Sequence, residues 1–254
     1  MVKVIINSDD FGYSRGINYG IIDAYREGIL TSTTLMTNTP GFNQAVALSK
    51  ENTELGIGVH LTLTFLKPLS GKINSLTNDK GHFHKLSVYK NPEFQIDLKE
   101  LYQEWALQIE KVYESGIVPT HIDSHHHLHT FGRNQEVVIE LANQFGLPVR
   151  GNFEKKSDIR TTDYFVADFD PVGAMIQNNQ IKEANHYVEG MIEKIKRYDT
   201  VEIMCHVGYI DQFLKTHTTF DEPRIFQTDF LIDSIFVDKI KSDPSIELIT
   251  YKEV

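Results

Sequence analysis

The feature that most constrains this chain is a repeated alternation of short apolar runs with amphipathic segments, the pattern of βα units laid around a parallel sheet. Val2–Asn7 reads as a buried strand. Ile17, Ile21, Tyr25 and Ile29 then recur at helical spacing behind Ser14, a suitable N-cap. Thr33–Thr37 reads as a second strand, Phe42–Ser49 as a second helix and Leu55–Leu63 as a third strand. Residues 67–92 mix Pro, Gly, Asn and Lys with weak periodicity; they read as a long loop, a type of segment that tends to act as a lid. The helix near Asp97–Ser115 sets Leu98, Leu101, Trp105, Ile109 and Val112 on one stripe. Ile117–Ser124 reads as a fourth strand, Gln135–Phe145 as a helix and Val149-Arg150 as strand, while residues 151–180 carry no clear pattern. A helix over Gln180–Tyr198, a strand over Val201–Cys205, a helix near Asp229–Lys241 and a last strand over Ile246–Tyr251 complete the series. Seven or eight strands with helices between them predict an α/β chain folded as a (β/α) barrel, regular or irregular, with residues 1–254 forming a single domain. An open doubly wound sheet is the second choice, because no glycine-rich phosphate loop follows the first strand.

Composition narrows the partners. A formal net charge of −10 argues against nucleic acid and anionic membranes, both of which select basic surfaces. The single cysteine, Cys205, excludes an internal disulfide framework and fits a reducing compartment. The first apolar run is too short for a signal peptide, and no stretch approaches the roughly 20 apolar residues that span a bilayer. A cytoplasmic protein is expected, with a homodimer as the default assembly.

Polar groups with chemical potential gather at the carboxyl ends of the expected strands, where α/β folds build their sites. Asp9 and Asp10 end the first strand, His60 ends the third, Asp123 and His125 end the fourth, and His206 follows Val201–Cys205. Four strands deliver acids or imidazoles to one face. Five of the eleven histidines (His121, His125, His126, His127 and His129) crowd into the segment beginning at His121. Such a density points to a metal-dependent site, since imidazole is the commonest protein metal ligand. One metal needs only two or three of these rings; the others pack, bond to ligands or contact substrate. If the extended run continues, Asp123, His125 and His127 share one face. The Asp9-Asp10 pair reads either as a turn and helix cap or as two carboxylates with separate tasks, one binding a cation and the other accepting a proton. His60 reads equally well as a core histidine. His82, His84, His186 and His217 are expected to be structural or at the surface, and Cys205 a buried inert thiol.

Five ordered segments carry a resemblance: Asn7-Ser-Asp-Asp-Phe-Gly-Tyr-Ser, residues 28–34 (Gly-Ile-Leu-Thr-Ser-Thr-Thr), residues 58–64 (Gly-Val-His-Leu-Thr-Leu-Thr), residues 120–127 (Thr-His-Ile-Asp-Ser-His-His-His) and residues 204–209 (Met-Cys-His-Val-Gly-Tyr). Together they resemble the YdjC family, which includes chitooligosaccharide deacetylases and is related to the NodB-type polysaccharide deacetylases. The match runs to about residue 211, and the last forty residues add little to it. The resemblance implies a one-metal hydrolase that removes acetyl groups from N-acetylated sugars. It implies Asp10, His60 and His125 as metal ligands, Asp9 as general base and His206 as general acid. In NodB-type relatives the two histidine ligands lie close together in sequence, whereas His60 and His125 are 65 residues apart, so the choice between His125 and His127 stays open. Asp123, His127, Arg150 and Tyr209 are candidates for supporting the ligands or touching the sugar; Phe11 and Tyr13 read either as sugar-packing rings or as core. The expected cofactor is one divalent ion, Mg²⁺ or Zn²⁺, and the expected partner a small acetylated sugar or oligosaccharide.

Two other readings compete. A metal-dependent phosphoesterase on a His-rich barrel would call for more metals and a basic phosphate clamp, and few basic residues flank these motifs. A non-catalytic metal- or sugar-binding protein gives no reason for Asp9 beside Asp10 or for His206 on another strand end.

Overall fold

The computed structural model describes residues 1–153 and 159–254. Its centre is a parallel sheet that opens with β1 (Val2–Phe11), followed by α1 (Arg15–Arg26), β2 (Ser32–Leu35), α2 (Phe42–Lys50) and β3 (Gly56–Leu61). A short α3 (Leu86–Tyr89), the long α4 (Leu98–Glu114), β4 (Ile122–Ser124), a 3₁₀ turn (His125–Thr130) and α5 (Asn134–Phe145) come next. The chain continues through β5 (Tyr164–Val166), α6 (Asp170–Gln177), α7 (Ile181–Ile195), β6 (Thr200–Cys205) and α8 (Gln212–His217). It ends with α9 (Glu222–Ile232), α10 (Ile235–Ser242), β7 (Ile246–Leu248) and a 3₁₀ turn, Tyr251–Glu253.

Among the described residues the sheet has seven strands, in the order β4-β3-β2-β1-β6-β5, with β7 also paired to β1. One edge of β1 is shared: Val2–Val4 pair with β7, and Asn7–Phe11 pair with β2. The other edge pairs with β6 from Lys3 to Ser8. All pairings between named strands are parallel, with helices as the connections, as the βα alternation predicts. The curled sheet and its flanking helices form the expected (β/α) barrel-like fold. Strand interiors are near-continuous apolar runs because both faces are covered: Val4, Ile5, Ile6, Val59, Leu61 and Ile203 are fully buried.

Local chemistry explains most element ends. Ser14 Oγ accepts from the Ile17 N–H, as expected of the N-cap, and Asp97 accepts from the Lys99 and Glu100 N–H groups to start α4. Several expectations are corrected. Ile29 lies beyond α1. The fourth strand shrinks to Ile122–Ser124, because Pro119 has no N–H to offer a ladder and Val118 is turned to solvent. Val149 makes only a single bridge, to Ile122. The helix expected over Asp229–Lys241 is two helices, α9 and α10, separated where Ser234 caps the second. Tyr164–Val166 and α6 emerge from the unpatterned stretch 151–180, of which residues 154–158 lie outside the described residues. The long segment 67–92 is not a free lid. Glu104 of α4 accepts from the backbone of Leu69 and Ser70 at 2.9 Å each, Glu100 accepts from Ser75, and Leu76 and Phe83 are buried.

Candidate metal and catalytic site

Register brings the site together. In the β3–β4 ladder His60 stands opposite Asp123, and in the β1–β6 ladder Ser8 stands opposite Cys205. The residues that follow, Asp9 and His206, therefore emerge side by side, with Asp9 Oδ2 at 4.0 Å from His206 Nε2. A regular strand would send Asp9 and Asp10 to opposite faces. Here the β1–β2 register slips between Ser8 and Phe11, and Asp10 adopts φ 72°, a left-handed conformation costly for a residue with a Cβ. That kink turns Asp10 so that both neighbouring carboxylates serve one cluster.

The two carboxylates have different surroundings. Asp9 is clasped by Arg150, which donates to Oδ1 at 2.5 Å and Oδ2 at 2.9 Å, and Asn7 adds a third bond at 3.0 Å. Burial alone would raise its pKa, yet Arg150, with His60 and His206, outweighs burial and holds Asp9 ionised well below the ordinary carboxylate range. Asp10 is anchored through Oδ2 by Arg224 at 2.6 Å, and it too is held ionised against the effect of burial.

Asp10 Oδ1 faces two imidazoles: His60 Nε2 at 3.4 Å and His125 Nδ1 at 3.1 Å. This oxygen is buried and makes no well-formed hydrogen bond. His60 Nδ1 is spent on Asp123 Oδ1 at 2.7 Å, with Thr34 Oγ1 touching both residues at 3.1 Å. An Nδ1–H held by a carboxylate leaves the Nε2 lone pair aimed at Asp10, the arrangement of metal-ligating histidines. Burial alone would lower the His60 pKa, but Asp123, Asp9 and Asp10 push it up to about 10, so a cation bound at Nε2 would take the place of a proton there. One unpartnered carboxylate oxygen with two ring nitrogens facing it fits a divalent cation. Asp9, His60 and Asp123 also lie close enough to hold an ion, but Arg150 already occupies Asp9 and Asp123.

The extended run past Asp123 does not continue. The chain turns after Ser124, and His126 and His127 take φ 57° and 56°. His125 and His127 therefore do not share a strand face. His125 reaches Asp10, whereas the His127 ring lies beside Phe165 and His129, and burial lowers its pKa to about 4. The His126 ring lies tilted against His125 and bonds Thr64; His129 is buried between Ser124 and Asn152; His121 stacks on Tyr251 at 3.8 Å. Most of the conspicuous cluster is scaffold. Tyr209 directs its hydroxyl to Asp23 on α1, Phe11 and Tyr13 are core, and the half-buried Phe65 and Phe213 with the exposed His217 instead form a rim in mutual contact. Cys205 is a buried thiol whose pKa burial pushes far up.

Several site residues escaped the sequence reading. Asp170, at the start of α6, bonds His206 Nδ1 at 2.8 Å; burial alone would lower the His206 pKa, and Asp170 raises it. Arg224 and Gln227 come from α9, with no motif to mark them. Glu202, which accepts from Arg150 Nε at 2.9 Å, did leave a signal: a charge inside the apolar run Val201–Cys205. Arg150 was singled out, and it sits fully buried among Asp9, Asp123 and Glu202. A cavity of about 660 Å³ adjoins the cluster, lined in part by His126, His127, Phe131, Tyr164 and Phe165. Another, of about 740 Å³, lies near the amino ends of β3 and β4 and contains none of these residues.

The chain is similar to proteins of known grouping. The sequence model described as YdjC-like protein matches residues 3–242. A protein named carbohydrate deacetylase from Halalkalibacterium halodurans is 40% identical over 233 residues, covering 91% of this chain and 95% of its own length. Another of that name, from Clostridium beijerinckii, is 36% identical over the whole of both chains. A crystal structure from Enterococcus faecalis, named as a candidate cellobiose-phosphate cleavage protein, superposes with a TM-score of 0.87 at 30% identity, covering 99% of this chain and 98% of that one. The family match and these full-length relatives make the chain a member of the YdjC-like protein family.

Proposed function

We propose that this protein is a metal-dependent carbohydrate deacetylase, hydrolysing the N-acetyl group of an acetylated mono- or oligosaccharide to acetate and the amino sugar. One observation carries the reading: Asp10, His60 and His125 converge on one buried point directly beside the Asp9–His206 pair. The names of the full-length relatives support the substrate class. Asp10, His60 and His125 would hold one divalent cation, Mg²⁺ or Zn²⁺; a mixed carboxylate and imidazole set suits Zn²⁺. When bound, such an ion lowers the pKa of water and polarises a carbonyl.

The chain's own residues handle the protons. Asp9, kept ionised and oriented by Arg150, accepts the proton of the water that attacks the acetyl carbon. His206, kept protonated by Asp170, gives its Nε2 proton to the sugar nitrogen as the C–N bond breaks. Each positioned acid or base contributes about 10²–10⁴-fold in rate. The adjoining cavity and the rim rings Phe65, Phe213 and His217 offer the mixed polar and aromatic lining that sugars favour. Both buried guanidiniums at the site are bonded to carboxylates, Arg150 to Asp9 and Arg224 to Asp10, which does not favour a phosphoesterase clamp.

The test is direct. Purified protein supplied with Zn²⁺ or Mg²⁺ is offered N-acetylglucosamine oligomers and a phosphoester panel, and acetate and phosphate are measured. Acetate release is expected, with Asp9→Asn abolishing it while the metal stays bound. No acetate from any acetylated sugar rejects the reading, and an active Asp9→Asn enzyme rejects the base.

A further inference from the structure

The geometry points to Gln227 as a positioning residue for His206: its side-chain amide closes a ring of hydrogen bonds that fixes which nitrogen of His206 carries the transferable proton. The inference rests on the deacetylase reading for what that proton does, not for how it is held.

His206 lies one residue past the end of β6, where strand pairing no longer supplies a partner for its backbone N–H. Gln227 Oε1 accepts that N–H at 2.9 Å. The other end of the amide, Nε2, donates to Asp170 Oδ1 at 3.1 Å, and the same oxygen faces His206 Nδ1 at 2.8 Å. Backbone, amide, carboxylate and imidazole thus form a closed circuit through three elements: the end of β6, α9 and α6.

The circuit has one consistent assignment of protons. A backbone N–H can only donate, so the amide oxygen must face it and the amide nitrogen must face Asp170. Asp170 is then an acceptor toward both neighbours, and its own pKa is held low. His206 must therefore present Nδ1–H to Asp170, which leaves Nε2 toward Asp9 as the atom that gives and takes the proton. Gln227 is fully buried, so no water replaces either bond when the amide is lost. The neighbouring α9 side chains are similarly committed, Arg224 to Asp10 and Thr228 Oγ1 to the Gly208 N–H. One face of α9 therefore braces the Asp10 and His206 halves of the site together. The charged and titratable groups around His206 are Asp170 on α6, Asp9 on β1, Arg224 on α9 and His127 in the turn after β4.

The experiment uses the full chain supplied with metal and two variants. Gln227→Leu keeps volume and removes both bonds; Gln227→Asn keeps the amide but is one methylene too short to close the ring. On an acetylated sugar, kcat falls by about 10–100-fold in both, part of the full effect of a general acid, while KM and bound metal stay within about twofold. On an aryl acetate, whose phenolate leaves without a proton, the rate changes by less than about threefold. The deshielded His206 Nδ1–H proton in the NMR spectrum shifts or disappears in both variants, as it does in Asp170→Asn. Equal losses on sugar and ester, or wild-type sugar turnover with an unmoved Nδ1–H signal, overturn the proposal. A wild-type protein inert toward every acetylated sugar, with a Nδ1–H signal that still depends on Gln227, upholds the positioning and rejects the deacetylase reading.

Discussion

Replacing Arg150 by methionine isolates the charge at the heart of the barrel. The side chain is fully buried and bonded to Asp9, Asp123 and Glu202, so one cation serves three carboxylates that are themselves almost wholly buried. Methionine fills similar space without the charge and leaves those acids unpaired. Removing one partner of a buried ion pair costs about 3–5 kcal/mol. For a chain of this length each kcal/mol moves the melting temperature by about 2 °C, so a drop of about 6–10 °C is expected. The loss should depend on pH with a definite sign. In the wild type Asp9 is depressed below its ordinary value of 3.8, so its stabilisation is complete above that value and fades only as pH falls toward the folded-state value. Without Arg150, burial dominates at Asp9 and Glu202, their folded-state pKa values rise, and folding takes up protons. The deficit of the variant should therefore shrink as the melt is moved from about pH 8 to about pH 5. Burial already raises the Glu202 pKa in the wild type, so adding Glu202→Gln to Arg150→Met should return about 1–2 kcal/mol. Thermal melts of the wild type, both single variants and the double variant across that pH range provide the measurement. An Arg150→Met variant that melts within about 2 °C of wild type at neutral pH, or whose deficit grows on acidification, refutes the reasoning.

Three further outcomes follow from the same geometry. Zn²⁺ at about 100 times its Kd should stabilise the wild type by about 2.7 kcal/mol, and Asp10→Asn, His60→Ala or His125→Ala should abolish the gain, whereas His127→Ala should keep it; melts with and without metal decide. The His206 pKa is raised above 6.5, and in the proposed mechanism the ring acts protonated, so activity should persist above that pH and fall as pH rises through the raised value; Asp170→Asn should move this basic limb downward in a kcat–pH profile. A Cβ on Gly58 would lie 2.4 Å from the His121 ring, so Gly58→Ala should cost about 1–3 kcal/mol by overpacking, read from a denaturant curve, and a neutral result would contradict the packing under β3.

Legibility varied with how local the governing physics is. The helix cap at Ser14, the stripe on α4 and the buried runs of β1, β3 and β6 follow from periodicity and side-chain chemistry within a few residues. They were readable for that reason. The breaks were missed although their causes are local too: Pro119 has no N–H to offer the β4 ladder, and Ser234 caps a second helix inside the expected C-terminal one. Asp9, Asp10, His60, Asp123 and His206 were visible as a set because strand ends in α/β folds face one side. Asp170 was hidden in a stretch with no periodicity. Arg224 and Gln227 were hidden because polar residues on an amphipathic helix ordinarily face water, and nothing local tells that this face is buried.

What the residue order determined by itself was the alternation that makes a parallel sheet, the strand ends that carry acids and imidazoles, and the family pattern spread over them. Only the tertiary structure decided how those groups divide. The left-handed turn at His126 and His127 selects His125 to face Asp10, and the kink at Asp10 brings both aspartates to one place. Ladder register sets His60 against Asp123 and Asp9 beside His206. The reason is physical: propensity and periodicity act over a turn or two of chain, whereas register, burial and the pairing of charges depend on segments far apart in the chain, as Val2 is from Ile246 in the sheet and Arg224, 214 residues away, is from Asp10 in the site.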